Sequence, residues 1–220
     1  MHRQFKIFML SLCLSLFGTA VAEEAPKAPP APLKIENPKF ALQQKGEAFF
    51  GKADAKVTVV EYASYSCPHC ADFHMTVFPA LEKKYIDTGK IKFIFRDFPL
   101  NAPALKAAMV VHCMPAEDKQ KTRGLLFRTQ NKWAFDKDFL LHLQQLAILQ
   151  GMDKATYNQC IANKTVEDEV LKSRLEGNKQ LGVSGTPTVF VNGERLEARA
   201  NMEEAISAMI DKALAAPAKK

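Results

Sequence analysis

The sequence has no second closely spaced cysteine pair, no apolar run long enough to cross a bilayer, and no cluster of basic residues interleaved with aromatics. The first absence weighs against a structural zinc site, which usually takes four Cys or His ligands in two close pairs. The second weighs against a membrane-spanning chain. A spanning helix needs ~20 apolar residues, and the longest stretch, residues 7–19, has about 13. The third weighs against nucleic-acid binding. The 30 Lys and Arg and the 24 Asp and Glu are scattered along the chain, the distribution of a solvated surface. No internal repeat is visible.

The N-terminus carries an export pattern. His2, Arg3 and Lys6 form a short basic region before the apolar stretch, and Ala20-Val21-Ala22 gives the small-x-small sequence that signal peptidase accepts. The alternative is an uncleaved anchor. A lipoprotein signal ending at Cys13 is disfavoured by the bulk of Leu12. Residues 1–22 are therefore expected to be a cleaved signal peptide. Removing 22 of the 220 residues leaves 198, enough for one domain with its own core, carrying a net charge of +4. Residues 23–39, rich in proline, form a tether rather than a packed element. Export places the remaining cysteines, Cys67, Cys70, Cys113 and Cys160, in an oxidising compartment, where an even number suggests disulfides.

Beyond Phe40 the apolar periodicity alternates between strand and helix. Residues 57–62 (VTVVEY) are a nearly continuous β-branched run, the pattern of a strand buried on both faces. A helix should follow, with Phe73, Val77, Leu81 and Tyr85 four apart on one stripe and an end near Gly89. Residues 91–95 (IKFIF) predict a second buried strand. Strand, helix, strand in that order implies a parallel pair with a right-handed crossover. The next 80 or so residues read as helices, at 101–114, 117–131, 136–150, 153–162 and 166–181, with Pro115 closing the first. Residues 188–191 (TVFV) predict a strand. Asn192-Gly193 signals a hairpin turn to a partner strand at 195–197, and Asn201 is placed to cap a last helix over 202–215.

Cys67-Pro68-His69-Cys70 admits three readings. A metal site could add His74 as a third ligand, but no fourth follows. A structural staple closing so short a ring would remove little chain entropy. A redox-active dithiol fits the local physics best. Cys67 ends a strand, and Pro68 suits the first helical position, where its missing N–H costs nothing. The Cys67 sulfur then faces the unpaired N–H groups and the positive end of the helix dipole. Its pKa should fall into the general range of about 3.5–7.5 for such cysteines. His69 adds a donor, and Cys70, a turn further in, would be the resolving thiol. A stabilised thiolate favours the dithiol state and makes the disulfide an oxidant.

With these residues in place, the chain resembles the DsbA-like thiol:disulfide oxidoreductases of the thioredoxin superfamily. CPHC is typical of that family's oxidases. Glu61, six residues before Cys67, matches the family's buried acid. Gly185-Thr186-Pro187-Thr188 matches its cis-proline loop, and residues 95–100 (FRDFPL) match a segment of its bacterial branch. The resemblance implies an α/β, thioredoxin-like fold over residues 40–100 and 182–216, with a helical domain inserted at 101–181. It implies that Glu61 takes the Cys70 proton, and that a cis Thr186–Pro187 bond turns the Thr186 backbone toward the dithiol to pair with an extended substrate. Asp97 and His112 are expected to be structural. Cys113 and Cys160 are either two buried thiols or, as the oxidising compartment favours, a structural disulfide. That disulfide would close a loop of about 48 residues and contribute ~3–4 kcal/mol in the chain-entropy model.

The resulting expectation is a periplasmic, monomeric dithiol oxidase acting on unfolded exported proteins, without metal or organic cofactor. A membrane quinone reductase of the DsbB type would reoxidise it. Thr186 before the proline keeps open a disulfide isomerase or reductase on the same fold. A metal-binding module using Cys67, Cys70 and His74 and a chaperone that only grips unfolded chains are the non-redox alternatives.

Overall fold

The computed structural model describes residues 37–198 and 200–217; the expected leader and nearly all of the tether lie outside them. A five-stranded sheet runs in the order β1-β3-β2-β4-β5. Its strands are β1 (Phe50–Gly51), β2 (Val57–Ala63), β3 (Ile91–Asp97), β4 (Thr188–Val191) and β5 (Glu194–Arg195). Only β2 and β3 pair in parallel, as their helical crossover requires. All seven residues of β2 are buried, which its continuous apolar run dictates for a strand at the centre of a sheet covered on both faces.

Alternation along β2 sorts its side chains between two cores. Val57 and Val59 pack with Leu81, Tyr85, Phe93, Ile206 and Ile210 on one face. Val60 and Tyr62 pack with Ile94, Leu181 and Phe190 on the other. Helix α8 (Met202–Ala215) supplies Ile206 and Ile210 to the first core, and the end of α7 (Lys164–Leu181) covers the second. Helix α7 approaches closely because Gly177 carries no side chain: a Cβ there would lie 2.5 Å from Cε1 of Tyr62.

The helix after the dithiol is regular only in part. It runs as α1 (Pro68–Asp72), a π turn over Phe73–Val77, α2 (Phe78–Leu81) and a second π turn over Glu82–Ile86. The stripe Phe73, Val77, Leu81 and Tyr85 explains this. Four-residue spacing drifts ~40° per step in a regular α-helix. The wider π turns take up that drift and keep Phe73, Leu81 and Tyr85 buried.

Between β3 and β4 lie α3 (Ala102–Cys113), α4 (Lys119–Arg128), α5 (Phe139–Leu149), α6 (Lys154–Ala162) and α7. Asn101 caps α3, its side chain accepting from the Ala104 N–H at 3.0 Å. A separate core gathers Ala107, Val111, Phe127, Trp133, Leu143 and Tyr157.

Two local expectations need correction, and one strand is additional. The predicted strand at 195–197 is β5 at Glu194–Arg195, because the two-residue turn sets Val191 opposite Glu194. Both turn residues, Asn192 and Gly193, have positive φ (48° and 86°), as such a hairpin demands. Strand β1 carries no periodic signal in two residues and was not foreseen. Asn201 precedes α8 but makes no side-chain cap; it is itself left-handed, at φ 53°. Among the described residues no helix is long and apolar enough to cross a membrane.

Candidate active site

Cys67 stands where β2 hands over to α1. Its backbone is extended (φ −85°, ψ 118°), and Pro68 begins the helix. Cys67 and Cys70 are not disulfide-bonded. Cys67 is 5 % exposed and Cys70 wholly buried. The two thiols differ sharply in acidity. The Cys70 thiol hydrogen-bonds the Cys67 sulfur and favours its thiolate; burial opposes this, while the backbone N–H groups of Cys70 and His69 add to it. Cys67 is thereby lowered to about 5. Burial, the bond to Cys67 and the nearby charge of Glu61 push Cys70 far above the ordinary thiol range.

The cis-proline loop faces the dithiol. The Thr186–Pro187 peptide bond is cis, and the Thr186 carbonyl accepts from Cys67 Sγ at 3.3 Å. Beside it opens a groove of about 1050 Å³, lined among others by His69, Phe73, Thr186, Pro187, Arg195 and Met202. His69 is exposed at its edge.

Glu61 follows from the alternation of β2. As an odd-numbered residue it shares the face of Val57 and Val59 and lies beneath the helix that follows the dithiol. It is completely buried, and its Oε2 lies 2.8 Å from Nε2 of His74. Its Oε1 has no hydrogen-bond partner among the described residues. His74 comes from the first π turn and stacks on Phe127 of α4, ring centroids 4.3 Å apart. His74 thus turns to Glu61 and completes no three-ligand set with Cys67 and Cys70. Among the described residues no group of three His, Cys, Asp or Glu is placed to hold a metal ion.

The helical segment grips the site through residues that sequence reasoning missed. The Gln130 side-chain amide donates to the carbonyls of Tyr65 and Cys67, at 2.8 and 2.9 Å. Arg123 reaches the Tyr65 hydroxyl at 3.3 Å and lies over the Phe95 ring. Burial raises the Tyr65 hydroxyl and keeps it neutral. No local pattern marks Gln130, which sits more than 60 residues from its acceptors. Away from the dithiol, Cys113 and Cys160 are joined in a disulfide between α3 and α6. His112 pairs with Asp97 at 2.8 Å. Arg96 grips Glu47 and the carbonyls of Phe40 and Leu42, fastening the start of the domain to β3.

Comparison with known proteins places this geometry. The family model described as thioredoxin matches residues 43–212. A Rickettsia typhi protein provisionally named a protein-disulfide oxidoreductase is 34 % identical, over 67 % of this chain and 55 % of that protein. The chain thus spans little more than half the length of that relative. The disulfide bond formation protein D of Bacillus subtilis is 29 % identical, over 77 % of this chain and 78 % of that one. The crystal structure of Wolbachia pipientis alpha-DsbA1 superposes with a TM-score of 0.75 and 31 % identity, covering 81 % of this chain and 96 % of that one. The chain belongs to the thioredoxin family and, within it, to the DsbA-like proteins.

Proposed function

We propose that this protein is an exported, periplasmic dithiol oxidase that donates the Cys67–Cys70 disulfide to newly exported, unfolded proteins. The observation that carries the proposal is the placement of two thiols three residues apart, Cys67 at the N-terminus of α1 and Cys70 wholly buried behind it, which lowers Cys67 to about 5 and raises Cys70. A stabilised Cys67 thiolate favours the reduced enzyme, so the oxidised enzyme gives up its disulfide readily.

A substrate thiolate attacks Cys67 Sγ of the oxidised enzyme. The Cys67–Cys70 bond breaks, and the departing Cys70 sulfur takes a proton through Glu61. The substrate's second thiolate then attacks its own sulfur in the mixed disulfide, and Cys67 leaves as a thiolate. Two electrons pass to the enzyme; of the two substrate protons, one ends on Cys70 and one in solvent. The carbonyl of Thr186, turned toward Cys67 by the cis bond, is placed to pair with an extended substrate segment lying in the groove. His69 sits at its edge, while Cys113–Cys160 braces residues 101–181, the inserted helical domain. A membrane quinone reductase of the DsbB type would reoxidise the dithiol.

Equilibration of the Cys67–Cys70 pair with glutathione buffers tests this. A potential near the −120 mV of DsbA supports a disulfide donor. One near the −270 mV of thioredoxin overturns it in favour of the second reading, a reductase or isomerase, which Thr186 before the cis-proline favours.

A further inference from the structure

The mechanism uses Glu61 but leaves unused the imidazole that holds it. Glu61 Oε2 and His74 Nε2 lie 2.8 Å apart, with side-chain exposures of 0 % and 4 %. A lone carboxylate in such a place would be very costly, so the carboxyl is held there with a hydrogen-bonding partner. An imidazole is the one side chain that can both accept and give up a proton near neutral pH.

Resting on the oxidase reading, we infer that His74 is a positioning residue that stores the proton Cys70 needs. The buried Glu61–His74 pair holds one proton between Oε2 and Nε2 and passes it through the carboxyl to the Cys70 sulfur as the disulfide opens.

The surroundings fit a closed store. The His74 ring is stacked between Phe127 and Phe78 and meets Phe73 and Phe95 edge-on, so its four ring neighbours are apolar. The titratable groups within electrostatic reach are few. Cys70 of α1 feels the charge of Glu61. Tyr65 of the β2–α1 connection, bound to Arg123 of α4, also feels Glu61 and stays neutral. Glu82, in the second π turn, feels His74. Cys70 is thus the acceptor whose protonation changes during exchange. Glu61 Oε1, buried and without a partner, is the free end through which the carboxyl can release the proton.

The proton balance closes. When a substrate thiolate breaks the Cys67–Cys70 bond, Cys70 leaves with the electron pair. The Glu61–His74 pair gives it a proton, becoming carboxylate and neutral imidazole, and regains one from solvent before the next cycle. The first π turn, the aromatic stack and the pair itself lie on elements that the chain already uses to build the dithiol site.

The test is the rate at which a small dithiol reduces the oxidised full-length enzyme, measured against pH and corrected for the reductant's own thiolate fraction. His74→Gln keeps a hydrogen-bond donor to Glu61 but holds no exchangeable charge. It should slow reduction about a hundredfold at neutral pH, the low end of general acid–base effects, and remove an inflection present in the wild-type pH profile. Glu61→Gln, close in size, should give the same profile even if His74→Gln fails to fold, and the double variant should add nothing further. His74→Gln or Glu61→Gln with the wild-type rate and profile overturns the role of the pair. A wild-type enzyme that exchanges slowly at every pH instead overturns the oxidase reading, so the two failures are distinguishable.

Discussion

Cys67 offers a perturbation whose size follows from the structure. Its pKa falls from about 9 to about 5 on folding, with the Cys70 thiol as the largest cause. At pH 7 such a fall stabilises the folded, reduced protein by ~2.7 kcal/mol. Cys67 lies beside the groove lined by His69 and Thr186, and solvent screening there cuts the effect to ~2 kcal/mol. At 30 mV per 1.4 kcal/mol this makes the disulfide ~40 mV more oxidising than one with an unperturbed thiol. The sign follows from the depressed pKa. Below about pH 5 both folded and unfolded thiols are protonated and the contribution is gone. It grows as pH rises from about 5 toward 9, and the oxidised protein has none of it. Denaturant melts of the reduced and oxidised protein at several pH values should show reduced-state stability gaining on oxidised-state stability as pH rises. Ultraviolet absorbance of the thiolate should titrate near pH 5. Cys70→Ala deletes a hydrogen bond to a charged sulfur, worth ~1.5–3 kcal/mol, and should raise that midpoint by about one to two pH units. A wild-type midpoint near the ordinary value of about 8.5, or one unmoved in Cys70→Ala, would refute the reasoning.

Gln130→Ala strands the buried Tyr65 carbonyl, while that of Cys67 keeps the N–H groups of Cys70 and Ala71. It should cost ~1–3 kcal/mol in a denaturant melt and loosen the Cys67 backbone enough to slow exchange. Gly177→Ala should destabilise by ~1–2 kcal/mol, read as a lower melting temperature, although alanine is the better helix former; the new Cβ would press on the Tyr62 ring. Arg96→Lys keeps the charge but loses the forked grip on Glu47 and the Phe40 and Leu42 carbonyls. Limited proteolysis should then cut between residues 37 and 49 faster, while the Cys67 titration stays put.

Local chemistry was legible wherever a short stretch carries its own constraints. Extended backbone at Cys67 followed by proline starts a helix and puts a cysteine at its positive end. Asn-Gly makes a two-residue hairpin. A β-branched run marks a central strand, and Glu61 inside it reads as buried. The family resemblance added the cis-proline loop, which no spacing rule would have supplied. The resemblance to a thioredoxin-like fold with helices between β3 and β4 was also legible in the sequence, because FRDFPL and GTPT bracket a long strandless stretch.

Other features are products of the tertiary structure. His74 becomes the partner of Glu61 only because the crossover helix returns over β2 and a π turn rotates residue 74 inward. Its sequence position by itself suggests only a candidate third metal ligand. Gln130 and Arg123 join the site because α4 and the turn after it pack beside the dithiol, a matter of helix docking that periodicity does not encode. The bond between Cys67 and the Thr186 carbonyl spans 119 residues. Gly177 shows its reason only against the Tyr62 ring. A sequence states what each residue can offer, a donor, a thiol, a missing Cβ. Which offer meets which depends on distances that close only when the sheet and the helical segment pack together.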